Sequence, residues 1–563
     1  MQADFWDDKR PAGVANSIDL GTYRSVVEVF ERSCEKFADR PAFSDLGVTL
    51  TYGERDRLSG AFCAWLQSNT ELQPGDRIAV QMPNLLQYPI AVFGALRAGL
   101  VVVNTNPLYT AREMRHQFND SGARALVYIN LFGKLVEEVV PDTAIEYLIE
   151  ARIGDLQRSP LKGALLNAAV KHVKKLVPAY HLPKAVSFRA VLKQGRGHSM
   201  KPVRQTLDDI AVLQYTGGTT GVAKGAMLTH GNLVANMLQV YGCMLQPGAD
   251  GQPLVKEGQE IMIAPLPLYH IYAFTANCMC MMVSGNHNIL ISNPRDIPGF
   301  IKELKQWRFT GLLGLNTLFV ALMENPEFKN LDFSGLKITN SGGTALVKAT
   351  AERWKQTTGC DVVEGYGLTE TSPVVSVSPY GDGGRLGTVG LPVAGTALKV
   401  IDDDGVEQPL GERGELCVKG PQVMKGYWQR AEATAEVLDA EGWLKTGDVA
   451  IIEADGFVRI VDRKKDLILV SGFNVYPNEI EDVLMTHPKI ANCAVIGVPD
   501  EKSGEAVKLF VVARDAELSI EEIKAFCREQ FTGYKVPKQI VLRESLPMSP
   551  VGKILRRELR DVT

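Results

Sequence analysis

The stretch IAVLQYTGGTTGVAKG, from Ile210 to Gly225, joins an apolar run to a loop of glycines, threonines and one lysine. The apolar run, Ile210 to Thr216, predicts a buried strand. Glycines let the backbone of the following loop turn tightly and bring its N–H groups close to a ligand. Successive N–H groups form a concave nest that suits an anion, and threonine hydroxyls and the ammonium group of Lys224 add donors. The stretch therefore predicts a strand followed by a phosphate-binding loop.

The loop departs from the Walker A pattern G-x-x-x-x-G-K-[ST], since Gly225 and not a hydroxyl residue follows Lys224. A plain flexible connection between two elements is the alternative interpretation. The density of threonine and glycine around a single lysine favours the phosphate loop.

Outward from this loop, strand-like and helix-like patterns alternate for most of the chain. Their order predicts an α/β protein with mainly parallel sheets, and strands are expected at ARALVYI (123–129) and DRIAVQMPN (76–84). After the charged sequence DRKKD (462–466) the pattern becomes that of a small α+β unit. We therefore expect a large domain at 1–461, a hinge at 462–466 and a small mobile domain at 467–563.

Composition narrows the functional class. The chain has 563 residues with 45% hydrophobic and 22% charged content and a net charge of −4, which argues against a nucleic-acid-binding protein. The nine cysteines are not spaced as zinc ligands are, and this scattered distribution predicts that they are reduced thiols. The polar start MQADFWDDKRPAG predicts no secretory signal, and no run of 18 apolar residues predicts a membrane span. A cytoplasmic soluble enzyme is expected.

A second polar cluster, EGYGLTET, covers Glu364 to Thr371. Tyr366 lies between two glycines, so a flat base could stack on its ring. Thr369 and Glu370 offer the hard oxygen atoms that magnesium prefers beside phosphates. An ordinary turn explains this motif equally well when it is taken alone.

Three further charged residues follow towards the C-terminus. Asp448 in GWLKTGDVA can accept hydrogen bonds from ribose hydroxyls, and Arg463 in DRKKD can bind a phosphate or a ribose. Lys553 follows a glycine in PMSPVGKILRREL. Each of these three is more often a solvated surface residue when it is considered by itself.

The joint order of the glycine loop, YGLTE, TGD, DRKKD and the final GK resembles the adenylate-forming superfamily of acyl-CoA synthetases, luciferases and peptide-synthetase adenylation domains. The resemblance covers nearly the whole chain. NTNPLYTAREM (104–114), PLPLYHIYAF (265–274), TGYKVPK (532–538) and VGKILRREL (551–559) are similar to bacterial long-chain fatty-acid–CoA ligases. The resemblance implies ATP, Mg²⁺ and coenzyme A as cofactors and a long-chain fatty acid as substrate.

The resemblance also implies the roles of individual residues. The β- and γ-phosphates are assigned to the loop residues Thr216, Gly217, Gly218, Thr219, Thr220, Gly221 and Lys224, and magnesium to Thr216 and Glu370. Adenine is expected against Tyr366 and the backbone near Gly342, Gly343, Gly365, Gly367 and Thr369. The ribose is expected at Asp448 and Arg463. Lys553 is expected to reach the acyl carboxylate and the α-phosphate, and His270 to position the carboxylate by a hydrogen bond.

Movement of the small domain between two half-reactions is a further implication. Lys465 corresponds to the pivot, a position where many relatives have Asp. Ser471, Gly472 and Phe473 are expected to line the pantetheine tunnel of coenzyme A. Phe274 corresponds to an aromatic gate over the fatty-acyl tunnel in some relatives, although close relatives vary there.

Several alternatives stay open at this stage. An acyl-AMP ligase that loads a carrier protein, a synthetase for aryl or medium-chain acids, and a catalytically silent lipid-binding protein would share these motifs. The basic amphipathic stretch LKGALLNAAVKHVKKLVPAYHLPK (161–184) predicts either peripheral binding to the inner face of an anionic membrane or a surface helix packed on the core. A homodimer is common among relatives, but the sequence carries no interface signal.

Overall fold

The computed structural model describes residues 3–216, 223–248, 251–549 and 552–560. Within these ranges the chain builds four β-sheets flanked by helices. The α/β class expected from the sequence is confirmed, as is the smaller α+β unit at the C-terminal end.

Two large sheets form the centre of the protein. The nine-stranded sheet has, in spatial order, the strands Leu391–Pro392, Val374–Val377, Val362–Gly367, Ile338–Gly342, Gly311–Gly314, Ile261–Ala264, His287–Leu290, Pro41–Asp45 and Val48–Thr51. The seven-stranded sheet has Val186–Ser187, Tyr147–Ala151, Ala123–Ile129, Arg77–Gln81, Val101–Thr105, Ile210–Thr216 and Lys224–Thr229. Strand pairing in both is largely parallel, with antiparallel strands at the edges.

Two smaller sheets follow along the chain. A four-stranded antiparallel sheet contains Ala397–Ile401, Arg413–Lys419, Leu444–Ile452 and Val458–Arg463. The sheet of the small unit contains Phe473–Val475, Ile468–Val470, Gly504–Ala513 and Ile490–Asp500, and Gln539–Arg543 pairs with its long strand Gly504–Ala513.

Helices cover the faces of these sheets, as the apolar runs of the parallel strands require. The α-helices are Val26–Lys36, Tyr52–Asn69, Gln87–Arg97, Ala111–Ser121, Gly133–Val139, Pro160–Ala168, Phe188–Gly195, His230–Met244, Ile271–Ala273, Met281–Val283, Ile297–Leu304, Asn316–Glu324, Lys348–Thr358, Ala431–Val437, Pro477–Leu484, Ile520–Gln530 and Arg556–Arg560. Ala169–Val173 and Phe274–Cys280 are π-helical. Among the described residues, none of the helices combines the length and the apolar character that crossing a bilayer requires.

Several local predictions match the structure closely. The strands expected at 123–129 and 210–216 have those bounds, and all nine cysteines are free thiols. Ser519 caps the helix Ile520–Gln530, since its Oγ accepts a hydrogen bond from the Glu522 N–H. The Glu522 carboxylate accepts a hydrogen bond from Lys489 at 3.2 Å.

The charged sequence at 462–466 forms the passage from the four-stranded sheet to the small unit. The strand Val458–Arg463 ends there, a short 3-10 turn covers Lys464–Asp466, and the next strand belongs to the other sheet. Arg556, from the C-terminal helix, anchors this passage by hydrogen bonds to Glu481 and Asn478, both at 2.7 Å.

Replacement of Arg556 by alanine should therefore loosen the small unit. The change leaves the largely buried carboxylate of Glu481 without its arginine, and breaking a buried pair in this way costs about 3 kcal/mol, while Asp466 keeps its ion pair with Arg560. Amides of residues 466–484 should exchange hydrogen on the order of 10²-fold faster in the full chain. Lys524→Ala, which removes an exposed ion pair with Glu521 in the same unit, should leave exchange unchanged. Equal exchange in both variants would contradict the anchoring role.

Candidate active site

The ends of the predicted phosphate loop are adjacent strands of the seven-stranded sheet. Thr216 ends one strand and Lys224 begins the next, and the two residues are directly paired in the antiparallel register. The loop is thus a hairpin connection whose ends are fixed by the sheet. Gly217, Gly218, Thr219, Thr220 and Gly221 lie outside the described residues, so their assignment to phosphates stays a prediction.

Tyr366, Asp448 and Arg463 meet at one edge of the nine-stranded and four-stranded sheets. The Tyr366 hydroxyl donates a hydrogen bond to Oδ2 of Asp448 at 2.6 Å, and Nε of Arg463 lies 3.5 Å from Oδ1. Asp448 and Arg463 are paired across neighbouring strands, which sets this geometry. Each carboxylate oxygen of Asp448 keeps acceptor capacity for a hydroxyl group, so the three residues predicted to hold adenine and ribose are together.

Several positions near Tyr366 are glycines, and at some of them a larger side chain would not fit. A Cβ atom at Gly367 would lie 2.0 Å from the Pro373 carbonyl oxygen, which excludes any other residue there. Gly343 has φ +83, the left-handed region that favours glycine, and directly follows the strand Ile338–Gly342. Gly365 pairs with Gly342 across neighbouring strands. The tight packing at Gly367 and the left-handed backbone at Gly343 explain why glycine is needed at these positions.

Lys553 is brought to the same area by the C-terminal unit. Gly552 packs against the start of the helix Asn316–Glu324, since a Cβ atom there would lie 2.8 Å from Thr317 Oγ1. Burial and the neighbouring cation of Arg463 lower the pKa of Lys553 to about 7, although Asp448 opposes the shift. Lys465, the predicted pivot residue, adds to the positive field around Lys553, and its own pKa is lowered by burial and by Arg463.

His270 is buried within the electrostatic influence of Lys553. Burial and the charge of Lys553 lower the pKa of His270 to about 4, so the imidazole is neutral at physiological pH. Its Nδ1 accepts a hydrogen bond from the Tyr272 backbone N–H at 3.3 Å, which places the remaining proton on Nε2. A neutral N–H donor suits a hydrogen bond to a carboxylate and does not suit a proton acceptor role.

Glu370 lies in the short turn Thr369–Thr371, and its side chain has a hydrogen-bond partner, Tyr427, that the sequence motifs do not indicate. The Tyr427 hydroxyl donates a hydrogen bond to Glu370 Oε1 at 2.7 Å, and the same tyrosine ring lies 5.1 Å from Lys224 Nζ. The sequence MKGYW contains a tyrosine after a glycine, but nothing in this local pattern marks it as a partner of residues so far away in the chain. Only the fold brings the three side chains together.

The residues near Glu370 fit a magnesium ion that is bound together with phosphates. Its Oε2 accepts no hydrogen bond from the described residues and is available as a ligand. Thr216 adds a hydroxyl group, and the described residues contain no cluster of three or more His, Cys, Asp or Glu side chains that would form a metal site of their own. Magnesium in nucleotide sites takes few protein ligands and completes its octahedron with phosphate oxygens and water.

The remaining predicted residues lie apart from this cluster. Ser471, Gly472 and Phe473 are exposed, and a Cβ atom added to Gly472, which has φ +82, would meet open space. Their role in lining the pantetheine tunnel stays a prediction. Phe274 is fully buried at the start of a π-helix, directly after the turn that carries His270. Its gate role likewise stays a prediction.

Comparison with known proteins shows what the chain is similar to. Residues 30–428 match the AMP-binding enzyme family, and residues 479–553 match the AMP-binding enzyme C-terminal domain. The long-chain-fatty-acid–CoA ligase of Escherichia coli O6:H1 is 54% identical over 558 residues, which cover 99% of this chain and 98% of that protein.

Solved structures have the same architecture. ATP-bound MatB from Rhodopseudomonas palustris is 28% identical with a TM-score of 0.76, over 95% of this chain and 98% of that one. An anthranilate–CoA ligase in complex with anthranoyl-AMP has a TM-score of 0.84 over 97% of this chain and 99% of that one. At 23% identity this second likeness concerns the fold alone.

The lowered pKa of Lys553 predicts unusual reactivity of its amine. A lysine attacks an acylating reagent only in its neutral form, which is present above the pKa. Acetylation of Lys553 by acetic anhydride can be followed by mass spectrometry as a function of pH. Its midpoint should therefore lie at a pH of about 7. The exposed Lys134 is the control, because its hydrogen bond to Glu137 raises its pKa above that of an ordinary lysine. Parallel profiles for the two lysines would contradict the environment described for Lys553.

Proposed function

This chain belongs to the AMP-binding enzyme family, and on that premise we propose that it is an ATP-dependent ligase that converts long-chain fatty acids to acyl-CoA. The observation that carries the proposal is the 54% identity with a long-chain-fatty-acid–CoA ligase over 99% of the chain. The product is a thioester of the kind that fatty-acid β-oxidation consumes, and we place the enzyme there.

The first half-reaction makes the carboxylate reactive. A carboxylate oxygen attacks the α-phosphorus of ATP, the bond from that phosphorus to the bridging oxygen of the β-phosphate breaks, and pyrophosphate leaves with the electron pair. Both reactants are anions, so the enzyme accelerates the step mainly by holding them in line and by supplying positive charge. Bound Mg²⁺ would contribute part of that charge at the phosphate oxygens.

Residues at the site suit these tasks. We assign the β- and γ-phosphates to the loop 216–224, magnesium to Thr216 and Glu370, and the nucleoside to Tyr366, Asp448 and Arg463. The charge of Lys553 acts on His270, and we assign the ammonium group of Lys553 to the α-phosphate and the Nε2–H of His270 to the carboxylate. A polyphosphate anion next to Lys553 would raise its pKa and keep it charged when charge is needed.

In the second half-reaction the thiolate of coenzyme A attacks the acyl carbonyl carbon and AMP leaves. The arrangement described above has Lys553 in the site and Gly472 in solvent, which suits the first half-reaction. We propose that the small domain, residues 467–563, turns about the hinge 462–466 with Lys465 as pivot, replacing Lys553 by the segment Ser471 to Phe473. The short turn Lys464–Asp466 between two sheets supports a pivot there, since few residues need to change their torsion angles.

Two assays test the proposed activity: ATP–pyrophosphate exchange and coenzyme-A-dependent release of AMP, each with acids from acetate to oleate and with benzoate. Both activities should be highest with long-chain acids, because each methylene buried in a tunnel contributes about 0.8 kcal/mol. Exchange without coenzyme-A-dependent turnover would instead identify a ligase that serves a carrier protein. Absence of exchange with every acid would contradict the proposal and favour a silent lipid-binding protein.

The variant Lys553→Ala tests whether Lys553 acts only in the first half-reaction. It should lower pyrophosphate exchange on the order of 10²–10³-fold, the usual effect of losing a transition-state donor. Thioester formation from a supplied acyl-adenylate should change little, because Lys553 is outside the site in that step. A similar loss in both steps would contradict the proposed movement of the small domain.

The basic stretch at 161–176 supports peripheral binding to an anionic membrane. Four apolar side chains point into solvent here: Leu161 is 69% exposed, Leu165 61%, Val173 79% and Leu176 53%. Lys171, Lys174 and Lys175 are exposed among them. A surface helix packed on the core would bury such apolar side chains, whereas a helix in the bilayer interface would insert them among lipids. We therefore propose that this stretch docks on the membrane from which fatty acids arrive.

Co-sedimentation with vesicles of phosphatidylglycerol tests the docking. Replacing Lys171, Lys174 and Lys175 by glutamine should weaken binding on the order of 10²-fold, since each lysine near an anionic surface contributes about 1 kcal/mol. The matched control replaces the exposed Lys329, Lys348 and Lys502, which lie elsewhere, and should bind as the unmodified protein does. Equal binding by both triple variants would contradict the proposal.

A further inference from the structure

Residues 424–430, here called the bridging segment, connect the Glu370 turn to the strand that follows the phosphate loop. The Met424 N–H donates to the Glu370 carbonyl at 2.8 Å. The Trp428 N–H donates to the Gly225 carbonyl at 2.8 Å, and the Met227 N–H donates to the Gly426 carbonyl at 2.9 Å. The segment therefore has one backbone contact at the predicted metal ligand and others directly after Lys224.

Within this segment, the side chain of Tyr427 also contacts both Glu370 and Lys224. It is only 9% exposed, its hydroxyl donates to Glu370 Oε1 at 2.7 Å, and its ring faces the Lys224 ammonium group at 5.1 Å. Burial and the charge of Glu370 raise the pKa of Tyr427, so the hydroxyl stays protonated and remains a donor at physiological pH. A charge-assisted hydrogen bond and a cation–π contact thus share one side chain.

The backbone around Tyr427 fixes the ring in this position. Gly426 has φ +139, and a Cβ atom there would lie 2.8 Å from Thr434 Cγ2. The Tyr427 N–H donates to Thr434 Oγ1 at 2.9 Å, and that hydroxyl donates to the Arg430 carbonyl at 2.8 Å. The ring is therefore held from the helix Ala431–Val437 as well as from the strand after the loop.

The position of Tyr427 affects how the charges of Lys224 and Glu370 interact. Lys224 and Glu370 carry opposite charges close to the same site and attract each other. A direct ion pair would use the cation needed for phosphate and the oxygen needed for metal, and no such pair is present between these two described residues, whose common neighbour is the Tyr427 ring. The hydroxyl occupies Oε1, which leaves Oε2 of Glu370 as the available ligand.

We propose that Tyr427 is a positioning residue that orients Glu370 towards the metal and keeps Lys224 from pairing with that carboxylate. The inference rests on the proposed function, because it requires that Glu370 and Lys224 serve a metal–ATP complex. It predicts that the hydroxyl group affects only the gain in ATP affinity caused by Mg²⁺, and that the ring also affects ATP affinity without metal.

Calorimetric titration of ATP into the full chain, with and without Mg²⁺ and with no fatty acid present, separates these effects. Tyr427→Phe removes only the hydroxyl, so the gain in ATP affinity on adding Mg²⁺ should fall about tenfold, the scale of one hydrogen bond to a charged group. Its affinity for ATP without metal should equal that of the unmodified protein. Tyr427→Leu also removes the ring, and metal-free ATP affinity should then fall about fivefold because Lys224 can pair with Glu370.

Tyr180→Phe is the matched control, since it removes a similar hydrogen bond, from Tyr180 to Glu150 at 2.6 Å, outside the site. It should leave both titrations unchanged. An unaltered effect of Mg²⁺ in Tyr427→Phe, or an equal loss of affinity with and without metal, would overturn the proposal for Tyr427.

Failure of the proposed function would give a different result. If the unmodified protein binds ATP without any gain from Mg²⁺, or exchanges pyrophosphate with none of the acids, the assignment of the whole site is wrong. A normal metal effect in the unmodified protein together with a normal effect in Tyr427→Phe would reject the positioning role alone. In that case the assignment of Glu370 and Lys224 would stand.

Discussion

Crowding of like charges is the constraint on which this site depends. Lys553, Arg463, Lys465 and Arg556 act on one another, and together with burial they lower the pKa of Lys553 to about 7. An anion that binds beside Lys553 and Arg463 relieves the repulsion between these two cations, so their closeness favours a phosphate ligand. Asp448 offsets part of this charge and keeps its own oxygens for hydroxyl groups.

The surrounding fold holds these charges on separate parts of the protein. Lys553 belongs to a small unit whose sheet is separate from the sheets that carry Tyr366, Asp448 and Arg463. The unit is connected through one short turn and is anchored internally by Arg556. A rigid small domain on a short connection can withdraw its lysine without disturbing the nucleotide residues, which remain fixed on strands.

Tyrosines recur as the partners of the carboxylates in this site. Tyr366 donates to Asp448 and Tyr427 donates to Glu370, so each acidic residue has a neutral donor beside it. A phenol fixes a carboxylate without neutralising its charge, whereas a lysine or arginine would compete with the ligand for it. In this pattern a hydroxyl group orients each carboxylate and leaves further acceptor capacity for a ligand.

The sequence by itself determined the fold class, two strands to the residue, and the motifs at 216–224, 364–371, 448, 463 and 553. These follow from periodicity, glycine content and charge within short windows, and the resemblance to a known superfamily connected them. The partnership of Tyr427 with Lys224 and Glu370, the packing of Gly552 against Thr317 and the solvent position of Gly472 came only from the tertiary structure. Each depends on contacts between segments far apart in the chain or on the placement of one domain against another. No local pattern encodes such contacts, because the physical interaction exists only after the chain has folded.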